Sequence, residues 1–354
     1  MARCLTALLA AVLACSAWCA APPSGLANPG EVEMPREVLA SIQLAQRWLA
    51  SRQRADGSFS DRYGEGAGIV ASGVLAWMVS GSTPGAGPYG GPVALGVDYV
   101  LSCAQPSGLL YSGRNEQHAM YQHGLATLCL AEAYGQTLDR RIYEKLKAAV
   151  ELCVRCQNEL GGWRYQPRID PTGDLSVTVM ILLGLRAARD AGIALPKETI
   201  QRAVHYLELC RDREGGPDAI AGFCYQPGRG RKWSTTAAGL MSLMLCGQYR
   251  AERYKGALDY LLSVRLRNED REWFIYGNYY AAQALYQAGA RGEAYRDCWP
   301  KWYRSMSQEL LKRQVKSGAD RGRFEVDREY GIWGTAMSVL ILGLPYRYLP
   351  IYQR

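Results

Sequence analysis

Apolar stretches in this chain end on a polar residue at near-constant intervals. The stops fall at Gln53 (RWLASRQ), Gln105 (YVLSCAQ), Gln157 (LCVRCQ), Arg211 (YLELCR), Arg265 (YLLSVR) and Gln314 (ELLKRQ), so that successive stops lie 52, 52, 54, 54 and 49 residues apart. Self-similarity at that distance marks one supersecondary unit repeated in tandem, each copy burying its apolar face against the next.

Between consecutive stops lie a Gly/aromatic loop and a second apolar segment. These second segments (GAGIVASGVLAWMVSG, HAMYQHGLATLCLAEAYG, DLSVTVMILLGLRAARDAG, WSTTAAGLMSLMLCG, YYAAQALYQAG and YGIWGTAMSVLILG) end on Gly81, Gly135, Gly192, Gly247, Gly289 and Gly343. Glycine just past a helical run is the usual left-handed C-terminal cap, and Asp174 and Ser234 stand where N-terminal caps belong, so each unit reads as a helical hairpin. The first helix of each pair carries charge on one face, as in IYEKLKAAVELCVRCQ, whereas the second is almost uncharged. Helices apolar all round are buried and amphipathic ones face water, which predicts six outer and six inner helices. Closing the six hairpins into a ring removes the exposed ends of an open solenoid. The expected fold is an all-α α/α toroid of six helical hairpins over residues 36–354.

Ahead of it, residues 1–21 have an early arginine, an apolar stretch from Leu5 to Ala14 and small residues at Ala20 and Ala21, the form of a secretory signal. The uncharged run from Cys4 to Ala21 is 18 residues long, so an uncleaved anchor fits it as well. Val12-Leu13-Ala14-Cys15 resembles a lipoprotein cleavage box. All three readings imply export to the periplasm, envelope or medium, with membrane association only through the N-terminus. Residues 22–35, rich in Pro and Gly, read as a linker.

Eight of the eleven cysteines follow the N-terminal segment. Cys103, Cys156 and Cys210 share one register at the ends of outer helices, and Cys153-Val-Arg-Cys156 has no partner pair elsewhere. Buried thiols are therefore expected rather than a metal or redox centre, and no cofactor is expected. The net charge of +8 is spread along the chain, with one local cluster at Arg229, Arg231 and Lys232, and lacks the basic stripe that nucleic-acid binding needs.

Gln53-Arg-Ala-Asp-Gly-Ser-Phe59 and Gln157-Asn-Glu-Leu-Gly-Gly-Trp163 resemble the glutamine/tryptophan motif of the prenyltransferase and squalene oxidase repeat family. The resemblance spans residues 40–354 and implies the α/α toroid of terpenoid cyclases and protein prenyltransferases. It implies no reaction by itself. The Asp-x-Asp-Asp acid motif of the cyclases is absent, as is the Asp-x-Cys step of the prenyltransferase zinc site. One stretch, Gly-Gly-Trp-Arg-Tyr-Gln-Pro-Arg at 161–168, returns as Ala-Gly-Phe-Cys-Tyr-Gln-Pro-Gly-Arg at 221–229. It reads as a turn followed by an extended spacer, with its arginine pairing near the next helix start.

In a toroid the inner-helix starts converge on one mouth, which is where chemistry is to be sought. The catalytic candidates there are Asp174, His123 and Glu116. His118, Tyr121, Trp233, Tyr276, Asn278, Tyr279, Tyr330 and Trp333 are the ligand-binding candidates. His118 and His123 are five residues apart and cannot readily share a metal on a helix. The chain holds 23 Tyr and only 4 Phe, and tyrosine suits either interlocking helices or a binding cleft. Three functions fit. One is a cyclase-like toroid holding an elongated apolar, isoprenoid-like or peptide ligand. Another is a carbohydrate-active toroid with two rim carboxylates drawn from Glu65, Glu116, Asp174, Glu272, Glu325 and Asp327. The third is a non-catalytic envelope scaffold.

Overall fold

The computed structural model describes residues 34–113, 116–214, 216, 219–248, 251–263, 273–291, 293–326, 331–346 and 348–352. The expected N-terminal signal or anchor and most of the expected linker lie outside them, as do Tyr330, Glu272 and Asp327.

Among the described residues, twelve α-helices form six hairpins: α1 (Arg36–Arg52) with α2 (Ala67–Met78), α3 (Gly90–Ser102) with α4 (Ala119–Thr137), and α5 (Arg140–Cys156) with α6 (Leu175–Asp190). The other three pair α7 (Lys197–Leu209) with α8 (Trp233–Leu245), α9 (Ala251–Ser263) with α10 (Phe274–Arg291), and α11 (Cys298–Arg313) with α12 (Gly331–Gly343). Each even-numbered helix packs on the next even-numbered one, and α12 packs on both α2 and α1, so the inner ring closes. The burial pattern follows the sequence. All but one of the twelve residues of α2 are buried, whereas α7 buries only Thr199, Ala203, Tyr206 and Leu207.

Three features recur in the hairpin turns. A stop glutamine bridges its own turn and the first turns of the next outer helix. Gln157 Nε2 donates to the carbonyls of Gly161 and Thr199, both at 2.9 Å, and Gln53 Nε2 donates to those of Gly57 (3.3 Å) and Pro92 (2.9 Å). A left-handed glycine then turns the chain against that same outer helix; at Gly161 (φ 94°) a Cβ would stand 1.9 Å from the Arg202 carbonyl oxygen. Finally, the backbone N–H of the buried residue after the turn donates to an inner-helix side chain. Trp163 uses Thr178 Oγ1 (3.0 Å), Phe223 uses Thr236 Oγ1 (3.0 Å) and Phe324 uses Thr335 Oγ1 (3.1 Å). The fourth turn is longer and holds a three-stranded antiparallel ribbon, β1 (Arg211–Asp212), β2 (Gly222–Cys224) and β3 (Arg231–Lys232).

The ring closes on the same device. Gln314 Nε2 donates to the carbonyls of Gly322 (3.1 Å) and Ser41 (2.9 Å), and Ser41 Oγ donates to Gln314 Oε1 (2.8 Å). Asp61 from the first turn accepts the Ile332 N–H at the start of α12 (3.1 Å).

Of the six expected glycine caps, Gly81, Gly192 and Gly247 are left-handed. Gly135 and Gly289 lie inside α4 and α10, and Gly343 is the last residue of α12. Helix α4 runs on to Thr137, and Leu138 takes the left-handed position itself (φ 54°). Gly289 lies against the segment that follows α10: a Cβ there would stand 3.3 Å from the Tyr295 carbonyl oxygen. The expected pairing of the duplicated arginines does not occur. Arg168 and Arg229 are exposed, and the ion pairs of these loops are made by Arg164 with Asp170 and by Arg231 with Asp212 and Glu214. Ser234 is the second residue of α8 rather than its cap; the helix follows Lys232, and Thr236 Oγ1 donates back to the Lys232 carbonyl at 2.7 Å.

The C-terminal residues lie across the other mouth, at the inner-helix C-termini. Leu349 and Ile351 are buried, and the Ile351 N–H donates to Glu132 Oε1 on α4 at 3.1 Å. A small cavity of about 130 Å³ lies beside Ile351, walled by Arg186, Asp190 and the end of α8.

Candidate functional site

The duplicated Tyr-Gln-Pro segments run back across the mouth. The Tyr165 carbonyl accepts the Met120 N–H (3.0 Å) at the start of α4, and the Tyr225 carbonyl accepts the Leu175 N–H (2.9 Å) at the start of α6. Backbone N–H groups at a helix start lack intrahelical acceptors, so each segment caps the inner helix of the preceding unit. The repeat also sets the two tyrosines side by side, their hydroxyls bonded to each other.

Around this pair the mouth gathers phenols. Tyr165 packs against Tyr121 (ring centroids 5.9 Å apart) and edge-on to His118 (4.9 Å); Tyr276 stands edge-on to Tyr280 (4.9 Å), which in turn meets Tyr279 (5.1 Å). The Tyr121 hydroxyl shares a hydrogen bond of 2.5 Å with Ser176 Oγ, and Ser176 donates to Asp174 Oδ1 at 2.7 Å. Burial raises the pKa of Tyr121, Tyr225 and Tyr276 above the usual phenol value, and the nearby Asp174 carboxylate adds to the effect. These phenols are neutral donors throughout the physiological range.

Asp174 is the acid at the centre. Its Oδ1 accepts the Val177 N–H (2.9 Å) and so caps α6 as the sequence indicates. The residue is fully buried, and Oδ2 has no hydrogen-bond partner. The Tyr225 hydroxyl, bonded to Tyr165, is also near enough to favour the ionised carboxylate. Burial outweighs the hydrogen bonds from Val177 and Ser176, so the carboxyl keeps its proton above the ordinary aspartate range.

The other candidates divide. Tyr121, Tyr276 and His118 belong to the cluster, His118 at its exposed edge. Tyr279 is buried behind it. Asn278 is buried too, its Nδ2 donating to the Phe274 carbonyl at 2.8 Å. Trp233 packs on α10, where a Cβ on Gly277 would meet its ring at 2.6 Å, and donates to the Leu261 carbonyl at 3.2 Å. Trp333 is half-buried at the start of α12, and Glu116 is exposed. Glu65 and Glu325 are exposed in ion pairs with Arg54 and Arg323.

His123 belongs to the wall rather than the mouth. It is fully buried; Nδ1 accepts the Leu110 N–H (3.1 Å), and Nε2 lies 3.2 Å from both the Ala149 carbonyl oxygen and Cys153 Sγ. With Nδ1 accepting, the proton sits on Nε2 and goes to Ala149. Leu110 follows the second turn as Trp163, Phe223 and Phe324 follow theirs, so His123 fills the place held elsewhere by Thr178, Thr236 and Thr335. Burial lowers its pKa to about 4, which leaves it neutral and without an exchangeable role.

Tyr165, Tyr225, Ser176 and Tyr280 were not among the residues expected at the site. The signal for the first two was the duplicated stretch itself, because a spacer has no need to keep tyrosine in both copies. The described thiols are all free, and among the described residues no three His, Cys, Asp or Glu side chains gather as a metal site requires. No described helix is long and apolar enough to cross a membrane.

Fold and mouth together define an α/α toroid whose inner-helix starts collect phenols around one buried acid. Solved structures share this fold. An inactive α-1,6-mannanase variant from Salegentibacter sp. HEL1_6 in complex with α-1,6-mannotriose matches with a TM-score of 0.61 at 9% identity, over 88% of this chain and 99% of that one. A type II terpene cyclase from Scytonema, an aspartate variant in complex with geranylgeranyl dihydroxybenzoate, matches with a TM-score of 0.53 at 16% identity, over 88% and 98%. An α-amylase from Clostridium perfringens matches with a TM-score of 0.58 at 10% identity, over 87% and 99%. No protein-family model and no curated protein matches the chain. At these identities the likeness is one of fold.

Proposed function

We propose that the mouth takes the end of an elongated apolar, isoprenoid-like ligand and that Asp174 is its proton donor. The observation that carries this reading is a buried carboxyl whose pKa burial pushes up and whose Oδ2 has no hydrogen-bond partner, set among neutral phenols. Transfer of that proton to a terminal carbon–carbon double bond leaves a carbocation on the ligand, and aromatic faces stabilise positive charge. Closure of the ring system and loss of a proton then return the acid to its starting state.

Glycoside hydrolysis needs two carboxyl groups about 5–9.5 Å apart. Of the described rim carboxylates, Glu65 and Glu325 are tied up in exposed ion pairs and Glu116 is exposed, and among the described residues no second carboxylate hydrogen-bonds into the Asp174 cluster. The unpaired acid favours proton donation to an apolar substrate over the sugar chemistry of the mannanases.

The test is incubation of the purified protein with a geranylgeranyl-bearing polyene and, separately, with α-1,6-mannooligosaccharides. Chromatography and mass spectrometry would follow both. A product isomeric with the polyene, lost in Asp174→Asn while binding persists, is the expected result. Cleavage of the oligosaccharide with the polyene untouched would sink the proposal, as would turnover indifferent to Asp174→Asn.

A further inference from the structure

Two of the free thiols face each other across the ribbon of the fourth turn. The β1–β2 register pairs Arg211 with Phe223 and Asp212 with Gly222, which sets Cys210 opposite Cys224 one step further along. The Cys224 N–H donates to the Cys210 carbonyl at 2.7 Å, while the Cys210 N–H stays with Tyr206 and Leu207 of α7, so one of the two bonds of a hydrogen-bonded cross-strand pair is made. Such pairs hold their Cα atoms about 5.5 Å apart, inside the 4.4–6.8 Å range that a disulfide bridges. The other described cysteines lie within helices or at their ends; Cys153 and Cys156 share a single turn of α5.

We infer that Cys210 and Cys224 form a dithiol site that a low-molecular-weight disulfide, or the disulfide of an oxidoreductase, oxidises to a cystine as the chain folds. Cys224 as its thiolate attacks one sulfur of the oxidant and releases the first thiol. Cys210 then attacks Cys224 Sγ in the mixed disulfide and releases the second. One S–S bond breaks in the oxidant and one forms in the protein; the two cysteine protons end on the two released thiols. Both side chains are buried in the folded protein, and burial pushes both thiols up, Cys210 to about 12. The exchange therefore belongs to folding, before the ribbon packs.

The cross-link would bear on the mouth. Cys210 ends α7, and Cys224 immediately precedes Tyr225, whose carbonyl caps α6 and whose hydroxyl pairs with Tyr165. A bond at Cys224 pins the backbone that aims Tyr225. This inference does not depend on the ligand proposed for the mouth.

The experiment is refolding of the reduced, denatured protein in a buffer of oxidised and reduced glutathione. Acid quenching, thiol alkylation and peptide mapping follow. The expected product is about 2 Da lighter than the reduced chain and carries a peptide joining Cys210 to Cys224. Its melting temperature is roughly 5 °C higher than that of the reduced form, from closure of a short loop. Cys210→Ser and Cys224→Ala each abolish the mass loss, and the double variant, which folds without needing either thiol, keeps the reduced protein's melting temperature. Full alkylation of every cysteine after refolding, or a bridge between any other two, overturns the inference.

Discussion

At the residue scale, His123 shows how a repeat assigns a role. Its sequence neighbourhood suggested a base at the mouth, because histidine titrates near neutrality. What the sequence lacked was the alignment between units, which appears only when the N–H of Leu110 is seen to find the acceptor that Thr178, Thr236 and Thr335 supply elsewhere. His123→Thr therefore keeps the acceptor, and His123→Ala orphans a buried N–H at a cost of about 2 kcal/mol beyond the threonine variant. Denaturant unfolding of the two variants would measure the difference. A pH profile adds a second check. The native histidine, at about 4, binds fewer protons than the unfolded one near 6.5, so its contribution is present above pH 6.5 and lost as pH falls toward 4. That loss is on the order of 3 kcal/mol and should be missing from His123→Thr. Asp174 was legible as a cap from its place before Leu175, but its burial was not, since the residues that cover it come from distant loops.

At the element scale, the turns explain the period that the sequence displays. Gln157 is buried and satisfies two carbonyls from two hairpins, so Gln157→Ala should cost about 2–3 kcal/mol, whereas Gln53, which is half-buried, should cost less. Gly161→Ala should be worse than either, because a Cβ at φ 94° also runs into the Arg202 carbonyl. Urea denaturation of the three variants gives the ranking. Hairpins, inner and outer layers and the stop glutamines were readable because periodicity and charge lie along the chain. Helix ends were less so: Gly135 and Gly289 look like caps, yet the helices continue past them, and at the end of α4 Leu138 takes the left-handed position instead. The Tyr165–Tyr225 pair was hidden for a related reason. Its two members sit sixty residues apart and meet only because successive units lie side by side.

At the scale of the whole molecule, the toroid has one mouth rich in phenols and another crossed by its own C-terminal residues. Glu132 sits under that crossing. It is buried, Oε1 holds the Ile351 N–H, Oε2 has no hydrogen-bond partner, and Asp190 lies close. Burial raises its pKa to about 8, with Asp190 adding to the rise and the Ile351 N–H opposing it. The native state therefore binds more protons than the unfolded state between about 4.5 and 8, and stability falls as pH rises through that window. Below pH 6.5 the His123 slope opposes it; from 6.5 to 8 the decline stands clear. Glu132→Gln should flatten most of it, an effect on the order of 4 kcal/mol read by thermal unfolding across pH, while Asp174, also raised by burial, contributes with the same sign.

The seam between the first and last hairpins reaches beyond stability. Ser41 and Gln314 bond across 273 residues of chain, and Asp61 waits for Ile332. A ribosome delivers the two sides of that seam at opposite ends of synthesis. Until the sixth hairpin emerges, the nascent protein is an open arc whose first hairpin presents an apolar flank with nothing to cover it. Premature termination anywhere before α12 leaves that flank bare, so fragments of this chain are expected to be clients for chaperones and proteases rather than smaller working versions of the whole.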